Sequence, residues 1–87
     1  MEVIYSVKAR EDISYWKKSG NKAVQQKISA LIDDILEHPY TGLGKPEALK
    51  YELSGSWSRR ITQADRLVYS VDIENYRIEI ETLRGHY

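Results

Sequence analysis

Between Asn21 and Pro39 the apolar residues Val24, Ile28, Leu31, Ile32 and Ile35 recur at the i, i+4, i+7, i+8, i+11 spacing of one helical face. Asn21 is a good N-cap, and the ring of Pro39 disfavours helix at His38. The spacing therefore predicts a helix running from Asn21 to about His38. A helix with a single apolar stripe gains most of its stability by packing that stripe, so the rest of the chain must supply a complementary surface.

The flanking sequence offers one more helix and several strands. Glu2 to Val7 alternates, with Val3, Tyr5 and Val7 on one side, and predicts a first strand. Ser6 is also a candidate N-cap for a helix over about Val7 to Lys18, closed by Gly20, with Ala9, Ile13 and Trp16 on one stripe. A loop with Gly42, Gly44 and Pro46 runs from Tyr40 to Glu47. Three or four short strands follow, over about 48–53, 56–62, 66–72 and 76–83, with turns at Ser54-Gly55, Gln63-Ala64 and Ile73-Glu74-Asn75. The order β-α-α-β-β-β-β predicts an α+β fold, two helices on one face of a small, mostly antiparallel sheet. The other face is left bare, and function is expected there.

A chain of 87 residues predicts one domain over 1–87. Zero cysteines exclude a disulfide scaffold and any thiolate metal site. No apolar stretch precedes the charges of the first dozen residues, and no run approaches the roughly 18 apolar residues of a membrane span. A cytoplasmic protein that does not enter the membrane is expected. Thirteen basic and thirteen acidic residues balance, which excludes a protein that coats nucleic acid through bulk charge. Residues 41–70 are locally basic, with Lys45, Lys50, Arg59, Arg60 and Arg66 against Glu47, Glu52 and Asp65, so a local anion site stays open.

Glu47 stands where the Gly/Pro loop enters a strand, behind Pro46 and flanked by Lys45 and Lys50. An isolated loop glutamate is ordinarily just solvated; one fixed by a proline has the placement a general base needs. Arg59 and Arg60 follow Trp57, and Arg66 opens the next strand. Adjacent strand residues point to opposite faces, so only one of Arg59 and Arg60 can share a face with Arg66. A two-residue turn at Gln63-Ala64 selects Arg59; a three-residue loop or a bulge selects Arg60. The residues alone leave both registers open. One strand arginine is usually a solubilising edge charge, whereas three beside a tryptophan suit phosphate clamping and base stacking.

His86 and Tyr87 would ordinarily be a frayed tail. Ile78, Ile80 and Thr82 nevertheless alternate as a strand that carries this end along the sheet, and histidine is the side chain best matched to proton transfer near neutral pH. His38 reads as a capping charge at a helix end. A carboxylate, an arginine and a histidine are the parts needed to cleave RNA by its own 2′-hydroxyl. The base takes the 2′ proton, the arginine stabilises the phosphorane, and the acid protonates the departing 5′-oxygen. No His/Asp/Glu cluster, Walker loop, GxSxG or HExxH is present, so neither a metal nor a cofactor is expected. A module that binds through the arginines without chemistry fits the same residues.

Four strings in order, Gly-Leu-Gly-Lys-Pro-Glu-Ala-Leu-Lys (42–50), Leu-Ser-Gly-Ser-Trp-Ser-Arg-Arg-Ile (53–61), Arg-Leu-Val-Tyr (66–69) and His-Tyr (86–87), closely resemble the YoeB (Txe/YoeB) toxins of bacterial toxin–antitoxin pairs. The likeness runs from Ala9 and Tyr15-Trp16 to Tyr87. It implies a RelE-like fold and a ribosome-dependent mRNA endonuclease that leaves a 2′,3′-cyclic phosphate and a 5′-hydroxyl. By motif position it implies Glu47 as general base, Arg66 as the transition-state arginine, His86 as general acid and Tyr87 as the residue that orients or stacks at the scissile nucleotide. Lys50 and Arg60 resemble the family's supporting cations, which favours the register with Arg60 in the cleft; Lys45, Arg59 and Trp57 are further candidates for RNA or phosphate binding. The resemblance also implies a YefM-like (Phd/YefM) antitoxin, a homodimer, and operator DNA bound only through the antitoxin. The chain departs from the pattern between Tyr69 and His86, which is acidic here (Asp72, Glu74, Glu79, Glu81) and suggests one basic face and one acidic face.

Overall fold

The protein is described by a computed structural model over residues 1–85; His86 and Tyr87, the expected acid and its terminal neighbour, lie outside the described residues. Strand β1 is Glu2–Tyr5, helix α1 Val7–Ser19, and helix α2 Lys22–Glu37. The remaining strands are β2 Glu47–Ala48, β3 Ser56–Arg60, β4 Arg66–Asp72 and β5 Arg77–Thr82. They form one sheet in the order β1-β5-β4-β3-β2, parallel between β1 and β5 and antiparallel elsewhere.

Both helices start and stop on the expected caps. Ser6 Oγ accepts the Ala9 N–H at 3.0 Å and donates to the Glu81 carbonyl at 2.7 Å, so one hydroxyl caps α1 and ties it to β5. Gly20 closes α1 in the left-handed conformation at φ 73°. Asn21 Oδ1 accepts the Val24 N–H at 3.1 Å, and His38 leaves the helical region before Pro39.

Two expectations are corrected. The first strand ends at Tyr5, because Ser6 turns the chain into α1 and leaves Val7 exposed as its first residue. The strand expected over 48–53 shrinks to Glu47–Ala48, followed by a short 3-10 turn at Tyr51–Leu53. Tyr51 takes φ 58°, outside the extended region, so pairing with β3 cannot continue through it.

The core lies between the helices and one sheet face. Ala9 and Trp16 of α1 and Val24, Ile28, Leu31 and Ile35 of α2 pack with Leu67, Tyr69, Ile78 and Ile80 of the central strands. Each fully buried aliphatic side chain among them contributes roughly 1.5–3 kcal/mol of transfer free energy. A bulge shapes the end of β5: Tyr69 pairs with Ile80 and Val68 with Thr82, leaving Glu81 as an extra residue. The shift in alternation turns Leu83 into the core, where it is fully buried. Among the described residues no helix is long and apolar enough to cross a membrane.

Candidate nucleic-acid interface

The β3–β4 connection decides which arginine faces the cleft. Arg60 pairs directly with Arg66, so the turn spans residues 61–65. Thr62 Oγ1 organises that turn, accepting the N–H groups of Ala64 (3.1 Å) and Asp65 (3.0 Å) and donating to Asp65 Oδ2 (2.8 Å). Directly opposed residues share a face, so Arg60 and Arg66 stand together on the side away from the helices, where Ser58 and Val68, next along it, are themselves buried. Glu47 pairs with Ser58 and joins the same face. Two strand spacings across and two residues along put the Cα atoms of Glu47 and Arg66 about 12 Å apart.

Arg59 is corrected. It opposes Leu67 on the helix-covered face and is 0% exposed, so it cannot contact an RNA phosphate. All five of its N–H donors have acceptors inside the protein. Nε donates to Tyr69 Oη (3.2 Å), Nη1 to Asp34 Oδ2 (2.6 Å) and the Leu43 carbonyl (2.8 Å), and Nη2 to the carbonyls of His38 (2.6 Å) and Thr41 (3.0 Å). Tyr69 Oη in turn donates to the Pro39 carbonyl at 2.5 Å. One guanidinium thus gathers the irregular loop between α2 and β2, the loop that delivers Lys45 and Glu47.

The charge balance of this network is local. The Arg59 hydrogen bond, with the Leu43 N–H, holds the Asp34 carboxyl below its ordinary value, while burial pushes the Tyr69 hydroxyl up. Gly42 is required by the same packing: at φ 110° an added Cβ would lie 2.2 Å from Asp34 Oδ2. Gly44 is equally confined, its carbonyl accepting the Arg60 N–H at 2.7 Å and its absent Cβ facing Leu31.

Trp57 is likewise corrected. It opposes Tyr69 on the helix-covered face, half-buried against the core, with its ring 5.0 Å from Tyr40. It does not share a face with Arg60 and Arg66. Lys45 and Lys50 are exposed on either side of Glu47. Glu47, Lys50, Leu53 and Tyr51 line a shallow groove of about 300 Å³, and Tyr51 is 90% exposed beside them. Tyr51 carries no signal in the sequence; its positive φ and its exposure beside Glu47 and Lys50 are what single it out.

Arg66 Nη1 donates to the carbonyls of Thr62 (2.9 Å) and Asp65 (3.2 Å), which brace it against its own turn. Among the described residues no carboxylate is ion-paired with Arg60 or Arg66. The division into a basic and an acidic face is overturned. The register places Asp72 and Glu79 on the face that carries Arg60 and Arg66, toward its other end, and Glu81 bonds Ser56 Oγ there. Among the described residues no three His, Cys, Asp or Glu groups are placed to hold a metal ion.

The chain also approaches Arg66 from β5. The Arg66 N–H donates to the Gly85 carbonyl at 3.0 Å, immediately before His86. Two helices on one face of a five-stranded mixed sheet, with cations and a carboxylate on the other, define the RelE-like class of small α+β proteins. Residues 5–87 match the family described as the YoeB-like toxin of bacterial type II toxin–antitoxin systems, and the chain belongs to that family. It is 44% identical to Toxin YoeB of Escherichia coli K12 over 87 residues, the whole of both chains. Among solved structures it is similar to a YoeB/ParE toxin from Agrobacterium tumefaciens, with a TM-score of 0.95 and 37% identity over all of both chains. It is similar also to YoeB of Staphylococcus aureus in a YoeB–YefM complex (TM-score 0.87, 39% identity) and as a YoeB dimer (TM-score 0.89, 38% identity), each covering 100% of this chain and 98% of that one.

Proposed function

We propose that this chain is a ribosome-dependent mRNA endonuclease, acting in the cytoplasm as the toxin of a toxin–antitoxin pair and inhibiting translation. The single 1–87 domain would cut mRNA in the decoding site without a metal. Glu47 takes the proton from a 2′-hydroxyl, and the freed oxygen attacks the adjacent phosphorus. Arg66 stabilises the charge that develops on the phosphoryl oxygens. His86 delivers a proton to the departing 5′-oxygen, which leaves a 2′,3′-cyclic phosphate and a 5′-hydroxyl. Tyr87 orients the scissile nucleotide, Lys45, Lys50 and Arg60 hold the backbone phosphates, and Tyr51 offers a ring for stacking.

One observation above all supports this reading. Glu47, Arg60 and Arg66 stand on one sheet face that no helix covers, and the residue before His86 is bonded to the backbone of Arg66. Because the S. aureus relative was solved with YefM and as a dimer, a YefM-like antitoxin and a homodimer are proposed for this chain too, with operator DNA bound through the antitoxin.

The test is cleavage of one mRNA, naked and on translating ribosomes, by wild-type protein and by His86→Ala. Cutting on ribosomes only, lost in the variant, is the expected result. Equal cutting of naked RNA would remove the ribosome as a required scaffold. A translation block without any cutting would make the protein a binder.

A further inference from the structure

Asp12 and Trp16 lie four residues apart on α1, in the stripe that also holds Ala9 and Ile13, and both are buried. They grip the same residue of the opposite chain end. Asp12 Oδ2 accepts the Leu83 N–H at 2.9 Å, and Trp16 Nε1 donates to the Leu83 carbonyl at 2.9 Å. The other Asp12 oxygen pairs with Lys8. Two residues further on, Asp65 Oδ1 accepts the Gly85 N–H at 2.8 Å, and the Gly85 carbonyl accepts the Arg66 N–H. Between them the Arg84 guanidinium sits 3.7 Å over the ring of Tyr15.

The chain beyond Thr82 is thus fastened by side chains from α1 and from the β3–β4 turn, after the regular strand has ended. A terminal segment with no task frays at little cost. Here a carboxylate that is 2% exposed, an indole N–H and a second carboxylate all act on main-chain atoms of Leu83 and Gly85. A buried carboxylate is tolerated only when paired and hydrogen-bonded, and Asp12 meets that condition with Lys8 on one oxygen and the Leu83 N–H on the other.

We propose that Asp12, Trp16 and Asp65 are positioning residues that fix the main chain of Leu83 and Gly85 beside Arg66, and with it the point from which the chain continues to His86. This rests on the reading of His86 as proton donor. The three side chains bond main-chain atoms, so they act on the reaction through the backbone of Leu83 and Gly85. A misplacement of about 1 Å at a reacting group costs on the order of 100-fold in rate.

Asp65→Ala removes the Gly85 fastening together with the Thr62 hydroxyl's bond inside a partly exposed turn, and Asp65→Asn removes the same charge but keeps an acceptor for Gly85. Trp16→Phe removes the indole donor. Each is measured by single-turnover cleavage on mRNA-loaded ribosomes, by ribosome affinity, by thermal melting and by the NMR signal of the His86 ring. The expected result is a rate loss of about ten- to a hundredfold in Asp65→Ala and Trp16→Phe. Ribosome affinity should stay unchanged, the Asp65→Ala melt should fall only slightly, and Asp65→Asn should recover most of the rate. The His86 ring signal should narrow toward that of a mobile residue in Asp65→Ala and return in Asp65→Asn. Unchanged rate and unchanged ring signal in Asp65→Ala would overturn the proposal, as would a rate loss matched by lost ribosome affinity. If wild-type protein does not cut at all but the ring signal responds as described, the positioning role stands and the nuclease reading falls.

Discussion

Arg59 and Arg60 leave β3 toward opposite faces of one sheet, and the two faces put the same side chain to different uses. On the covered face Arg59 has every donor satisfied by the protein, and what it organises is the loop between α2 and β2. On the bare face Arg60 is exposed with no ion-pair partner among the described residues, and only its backbone is bonded to that loop. A guanidinium can be buried only where acceptors surround it. The stability of the covered face is therefore what leaves the other face at liberty to carry unpaired charge.

The sharpest way to break this comparison is Arg59→Ala. It leaves Asp34, Tyr69 Oη and three loop carbonyls without their partner, and removing one side of a buried pair costs about 3–5 kcal/mol. The denaturation midpoint should fall accordingly; a drop of only a few tenths of a kcal/mol would show that the loop holds itself. Tyr69→Phe deletes the hydroxyl between Arg59 Nε and the Pro39 carbonyl, leaving both groups unsatisfied, and should cost about 1–3 kcal/mol in the same titration. Gly42→Ala forces a Cβ against Asp34 at a φ that side chains avoid, with an expected loss of more than about 1 kcal/mol.

Acid should weaken the covered face through Asp34. The Asp34 carboxyl is held below its ordinary 3.8 chiefly by Arg59. The stability this pair contributes is fully present above that value and is lost as pH falls through the lower folded one. Denaturation midpoints followed from about pH 5 downward should slope less in Asp34→Asn than in wild type. Asp72, held low by Asn75, supplies a similar slope that both proteins keep, so the difference between them isolates Asp34. The smallest effect on stability belongs to the bare face: Arg60→Ala should stay within about 0.5 kcal/mol of wild type while reducing cleavage. A large destabilisation would make Arg60 structural as well.

What the sequence made legible follows how local each determinant is. Ser6, Gly20, Asn21 and Pro39 act within one helical turn, so both helices could be read from neighbouring residues. The choice between Arg59 and Arg60 depended on a turn of residues 61–65 built around the Thr62 hydroxyl, and turn chemistry of that kind has no periodic signature. The Glu81 bulge reverses the alternation that Ile78, Ile80 and Thr82 predict and so hides the burial of Leu83. Proximity in the chain groups Trp57 with the arginines, whereas alternation along β3 puts it on the face of Arg59, opposite Arg60 and Arg66. Asp12 did leave a trace: it is an acidic residue at a stripe position, three after Ala9 and four before Trp16, where an apolar side chain would be expected.

The parallel pairing of β1 with β5 has a consequence for how the protein is made. Ser6 bonds Glu81, 75 positions away, and Asp12 and Trp16 of α1 bond Leu83. A chain emerging from the ribosome exposes β1 and α1 first, long before their partners are synthesised, and loops of that length close late in folding. A chain stopped after Asp72 should therefore be digested readily by protease where the full chain resists. Completion of the five-stranded sheet then waits until β5 has emerged to pair with β1.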